Sequence, residues 1–98
     1  MTAKPSKQIY LDYAATTPLD PRVRERMLDC MDADTAFGNP SSSTHEYGAA
    51  AAAEIEKSAA EVAGVINAKS DEIVWTSGAT EANNLAVIGA AKFREQRG

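Results

Sequence analysis

The sequence is short of cysteine, histidine, aromatic residues and positive charge, and each shortage removes a class of protein. Cys30 is the single cysteine in 98 residues, so no internal disulfide can form, which suits a reducing compartment. His45 is the single histidine, and no cysteine stands near it at metal-ligand spacing, so no metal site is expected. Aromatics make up 6% of the chain (Tyr10, Tyr13, Phe37, Tyr47, Trp75 and Phe93), which leaves few large anchors for a core. Lys and Arg number 10 against 14 Asp and Glu, a net charge of −4, and nucleic-acid binding, which needs a basic surface, is not expected. No long apolar run is present, so no membrane span is expected. Met1-Thr2-Ala3-Lys4 lacks the apolar centre of a secretion signal, and the expected location is cytoplasmic. Neither G-x-x-x-x-G-K-[ST] nor G-x-G-x-x-G occurs, so the usual nucleotide loops are missing.

What the chain does have is alanine. Hydrophobic residues reach 44%, enough for a globular protein, but much of this is Ala, as in Ala49-Ala50-Ala51-Ala52-Ala53. At about 25 cal/mol per Å² of apolar surface, alanine contributes little to a core, so the chain by itself should be weakly held.

Along the chain, residues 1–8 are polar, with a proline, and should be loose. Residues 9–13 alternate as in a short strand, and Pro18 and Pro21 punctuate the loop that follows. Asp20-Pro21 reads as a helix start, with Asp20 as N-cap and Pro21 at the first helical position. The predicted helix covers 21–32 and puts Val23, Met27, Cys30 and Met31 on one face. There Cys30 is a small packed hydrophobe. Residues 35–44 form an irregular loop rich in Gly, Asn, Pro and hydroxyl side chains. His45 should fix this loop or the helix after it. That helix is predicted over 46–63, with Ser43 or Thr44 near its cap, Tyr47, Ala51, Ile55, Ala59, Val62 and Ile66 in one stripe, and Gly64 as its end.

The most informative stretch is Trp75-Thr76-Ser77-Gly78-Ala79-Thr80-Glu81-Ala82-Asn83-Asn84. Residues 72–76 carry Ile, Val, Trp and Thr and read as a buried strand, and the good helix formers begin at Glu81. A strand that enters a helix through a Ser/Gly/Thr turn leaves backbone N–H groups without partners at the positive end of the helix dipole. Such a turn can take an anion, most often a phosphate. The plainer alternative is that Ser77 or Thr80 caps the helix. A lone strand cannot make a stable sheet, so the pattern is the start of an α/β fold completed by other polypeptide.

Three segments, in this order and spacing, resemble the N-terminal portion of cysteine desulfurases of the NifS/IscS group, class V aminotransferase-fold enzymes that use pyridoxal 5'-phosphate. They are Tyr10-Leu11-Asp12-Tyr13-Ala14-Ala15-Thr16-Thr17-Pro18, followed by Asp20-Pro21-Arg22-Val23; Phe37-Gly38-Asn39-Pro40-Ser41-Ser42-Ser43-Thr44-His45 with Gly48; and Thr76-Ser77-Gly78-Ala79-Thr80-Glu81-Ala82-Asn83-Asn84-Leu85-Ala86. The resemblance spans residues 8–98 and only the first quarter or so of such an enzyme. It implies the start of the aspartate aminotransferase-like large domain, α/β in class, over 19–98, with 1–18 belonging to the small domain. It implies cofactor-phosphate contacts from Ala79, through its N–H, and Thr80, through its N–H and hydroxyl; Asn39 and His45 are weaker candidates for shaping the active-site region. The complete enzyme would be a homodimer acting on L-cysteine and passing sulfur to an acceptor or iron–sulfur scaffold protein.

No catalytic residue is assigned to these 98 residues. The family's Schiff-base lysine, ring-stacking histidine, pyridine-nitrogen aspartate and persulfide cysteine lie downstream; Lys57, Lys69 and Lys92 match no such motif, nor do Cys30 and His45. The chain alone is therefore expected to be inactive. The competing readings are another enzyme of the same fold, such as a selenocysteine lyase, and a short non-catalytic protein that binds a partner through its helix faces.

Overall fold

A computed structural model describes residues 7–98. The reading of residues 1–6 as loose lies outside them. The described elements are α1 (Pro21–Met31), α2 (Glu46–Val65), a 3-10 turn (Ser70–Glu72) and α3 (Ala79–Gln96). The chain divides into two compact units, Met1–Ala52 and Ala53–Gly98.

In the first unit, α1 begins where Asp20 stops the preceding loop. The Asp20 carboxylate accepts the Arg22 N–H at 2.8 Å, and Pro21, which has no N–H to satisfy, occupies the first turn. The far end of α1 closes on Thr35, whose hydroxyl donates to the carbonyls of Asp32 (2.9 Å) and Asp29. The loop that follows is folded tightly against the start of α2. Asn39 receives the Ser41 N–H on its side chain at 2.9 Å and the Ser42 N–H on its carbonyl at 3.0 Å. Phe37 and Tyr47 bring their rings to 5.5 Å. Gly48 is buried beneath the Ser42 carbonyl, an approach that only a residue without Cβ permits.

In the second unit, α2 runs through Gly64 and ends two residues later than its sequence suggests. The left-handed residue that closes it is Asn67, at φ 56, and the Ala68 N–H reaches back to the Ala63 carbonyl at 2.8 Å. Asn substitutes for Gly at this position because its short polar side chain tolerates the conformation. The short 3-10 turn is tied by the Glu72 carboxylate, which accepts the Lys69 N–H at 2.7 Å.

The expected α/β structure is not confirmed by these residues: among the described residues there is no strand. Residues 9–12 form an open segment and the chain turns over 13–15, with the Ala15 N–H donating to the Asp12 carbonyl at 3.1 Å. Of residues 72–76, Glu72 belongs to the 3-10 turn, Ile73 is extended, and residues 73–76 form no ladder. The cause is pairing: a strand is defined by a neighbour that takes its N–H and C=O groups, and the described residues supply none. The buried apolar side chains among the described residues are Ala51, Ala59 and Ala63, spaced by eight and four along one ridge of α2. Larger apolar groups stay out, including Leu11 (88% exposed), Val74 (64%) and Trp75 (54%).

Candidate functional site

The candidate site lies at the start of α3. The chain passes without regular structure through Val74 and Trp75, bends at Ser77 and Gly78, and enters the helix at Ala79. The N-cap is Gly78, which offers no side-chain acceptor, so neither Ser77 nor Thr80 supplies the cap that their residue types suggest. Helical hydrogen bonding begins with the Ala82 N–H, which reaches the Gly78 carbonyl at 3.1 Å. The N–H groups of Ala79, Thr80 and Glu81 therefore have no partner within the helix. They stand at the positive end of an 18-residue helix, and Ala79 and Thr80 are both exposed. Thr80 adds a hydroxyl beside them, while its carbonyl accepts the Asn84 side-chain amide at 2.8 Å.

The turn is held by Glu81, whose residue type alone predicts no more than a good helix former. The Glu81 carboxylate accepts both the hydroxyl and the N–H of Ser77, at 2.5 and 3.0 Å. The hydroxyl bond first, then the backbone bond, holds the Glu81 carboxyl below its ordinary value. An acidic residue in the first turn was the available signal. The Thr76 hydroxyl adds a bond to the Gly78 carbonyl at 3.2 Å. Chemically, the exposed donors suit a compact anion with several acceptor oxygens, and the chain-side requirement for a phosphate group is met by backbone N–H groups, one hydroxyl and the helix end.

The other singled-out residues lie in the first unit. His45 stands one residue before α2 and accepts the Gly48 N–H on Nδ1 at 3.2 Å, with its ring 6.1 Å from that of Tyr47. It fixes the helix start, as its position suggested. Asn39 shapes the loop through its own bonds to Ser41 and Ser42. Cys30 is half-buried on α1, and the Arg26 guanidinium donates to its sulfur at 3.5 Å. Among the described residues, no three His, Cys, Asp or Glu side chains gather to hold a cation, and no helix is long and apolar enough to cross a membrane.

Comparison with known proteins bears on the whole described chain. The family model for aminotransferase class-V matches residues 9–98. A protein named cysteine desulfurase IscS from Pseudomonas savastanoi pv. phaseolicola is 52% identical over 90 residues, which cover 92% of this chain and 22% of the relative. Proteins of the same name from Shewanella woodyi and Pseudomonas putida are 54% and 53% identical over the same shares. The chain thus spans about a fifth of the length of these curated relatives.

Proposed function

Because the chain belongs to the aminotransferase class-V family, we propose that it is the N-terminal portion of a cysteine desulfurase that uses pyridoxal 5'-phosphate. The complete enzyme converts L-cysteine to L-alanine. The substrate sulfur moves to an enzyme thiol, forms a persulfide there, and passes to a sulfur acceptor or an iron–sulfur scaffold protein. The observation that carries this reading is the start of α3, where three N–H groups and the Thr80 hydroxyl meet inside the segment matched by the family.

In this reading Ala79 binds the cofactor phosphate through its N–H, and Thr80 does so through its N–H and hydroxyl. The helix end offsets part of the phosphate charge. When bound, the cofactor supplies an electron sink for the substrate's α-carbon, and the protein's part is to hold and orient it. Residues 19–98 then begin the large domain, residues 1–18 belong with the small domain, and residues 72–76 become a strand once the α/β sheet supplies a neighbour. The enzyme acts as a cytoplasmic homodimer.

The test is Thr80→Val in the complete enzyme. Valine keeps the shape and removes one hydrogen bond to a charged group, a loss of about 1.5–3 kcal/mol in cofactor affinity. Equilibrium dialysis against pyridoxal phosphate reads it. Unchanged affinity would leave Thr80 as no more than a helix residue.

A further inference from the structure

The next inference rests on the reading of the α3 start as a phosphate site. Three features of the turn stand together. Gly78 has open space where a side chain would stand: a Cβ built there meets nothing within 4 Å. The N-cap makes no side-chain bond of its own. The strongest tie is the Glu81 carboxylate on the hydroxyl and N–H of Ser77, two charge-assisted bonds at 2.5 and 3.0 Å, beside which the neutral Thr76 bond at 3.2 Å is weaker. The carboxylate also occupies both Ser77 donors. An incoming phosphate is left with the N–H groups of the first helical turn and the Thr80 hydroxyl. Glu81 cannot itself be a phosphate ligand, since two anions repel.

We propose that Glu81 is a positioning residue for the cofactor phosphate: by holding Ser77, its carboxylate aims the Ala79 and Thr80 N–H groups at the phosphate without touching it. The pair Ser77–Glu81 works as one unit. Removing the Glu81 carboxylate frees the turn, removing the Ser77 hydroxyl frees it in part because the Ser77 N–H still donates to Glu81, and removing both adds nothing to the loss of Glu81.

The experiment uses the complete enzyme and two probes, pyridoxal phosphate and phosphate-free pyridoxal. Dissociation constants are measured for Glu81→Ala, Glu81→Gln, Ser77→Ala, the Glu81→Ala/Ser77→Ala double variant and Thr80→Val. Glu81→Ala is expected to weaken pyridoxal phosphate about tenfold, the scale of one net hydrogen bond, and to leave pyridoxal unchanged. Glu81→Gln recovers most of the affinity, because its amide oxygen still accepts from Ser77. The double variant binds no more weakly than Glu81→Ala alone. If Glu81→Ala fails to fold, Ser77→Ala carries an expectation of the same sign but smaller size, a partial loss confined to pyridoxal phosphate, since it removes the hydroxyl bond and keeps the N–H bond to Glu81. Parent affinity in Glu81→Ala and Ser77→Ala, with Thr80→Val weakened, overturns the positioning role and leaves the phosphate reading standing. An equal loss for both probes also overturns it, since that marks general damage to the fold. Parent affinity in Thr80→Val overturns the phosphate reading itself.

Discussion

At Gly48 an added Cβ would lie 1.8 Å from the Ser42 carbonyl oxygen and 2.9 Å from that of Asn39, both backbone atoms that cannot rotate away. Gly48→Ala should therefore destabilise the complete enzyme by about 1–3 kcal/mol or more, read as a fall in Tm. Gly64 is the contrast. It lies inside α2, and a Cβ there meets nothing within 4 Å. Gly64→Ala should raise the helix content of the 98-residue chain, by far-UV circular dichroism, with a gain of about 0.5–1 kcal/mol. Composition does not separate these two glycines. Gly48 could be read only as part of a motif, because its need for close approach depends on a loop whose path is not local. His45 was more legible: a polar residue directly before a helix has few roles, and its Nδ1 takes the Gly48 N–H.

Helix ends depend on short-range chemistry, and they were the most legible feature of the fold. The Asp20-Pro21 start of α1 is where the sequence places it, and the helix stops one residue before the expected end. The end of α2 differs from the expected one because Gly64 stays helical and Asn67 adopts the left-handed conformation that closes the helix. Strands depend on more than local chemistry: residues 72–76 have strand composition, but among the described residues they have no neighbour to pair with.

The two carboxylates at helix starts also make a pH prediction. Asp20 is held below its ordinary value of 3.8, first by its side-chain bonds to Arg22 and then by the Arg22 N–H, and Glu81 is held below 4.5 by Ser77. Both bind protons less readily in the folded chain than in the unfolded one. Their contributions are therefore complete above those ordinary values and are lost as pH falls through the lower folded ones. Helix content followed from pH 7 to pH 2 should fall in this acid range, and Asp20→Ala should remove the part that belongs to α1.

For the whole molecule, the decisive fact is what remains uncovered. Three alanines are buried among the described residues, while Leu11, Val74, Trp75 and the Val23, Met27 and Met31 face of α1 stay exposed. Such a surface needs other polypeptide against it. The 98-residue chain purified alone should bind an apolar dye strongly and release no sulfide from cysteine, whereas robust sulfide release would remove the need for residues outside it. The sequence anticipated this incompleteness through its alanine-rich composition and its unpaired strand pattern. The assignment of the α3 start to a phosphate came from the company of the two other motifs, since the turn alone allowed a simple cap.

The most direct measurement is the product formed by the complete enzyme, loaded with pyridoxal phosphate and given L-cysteine and a thiol reductant. A cysteine desulfurase forms alanine and releases sulfide in equal amounts, because each substrate sulfur first becomes one persulfide. A loaded, folded enzyme that forms no alanine from L-cysteine would contradict the assignment.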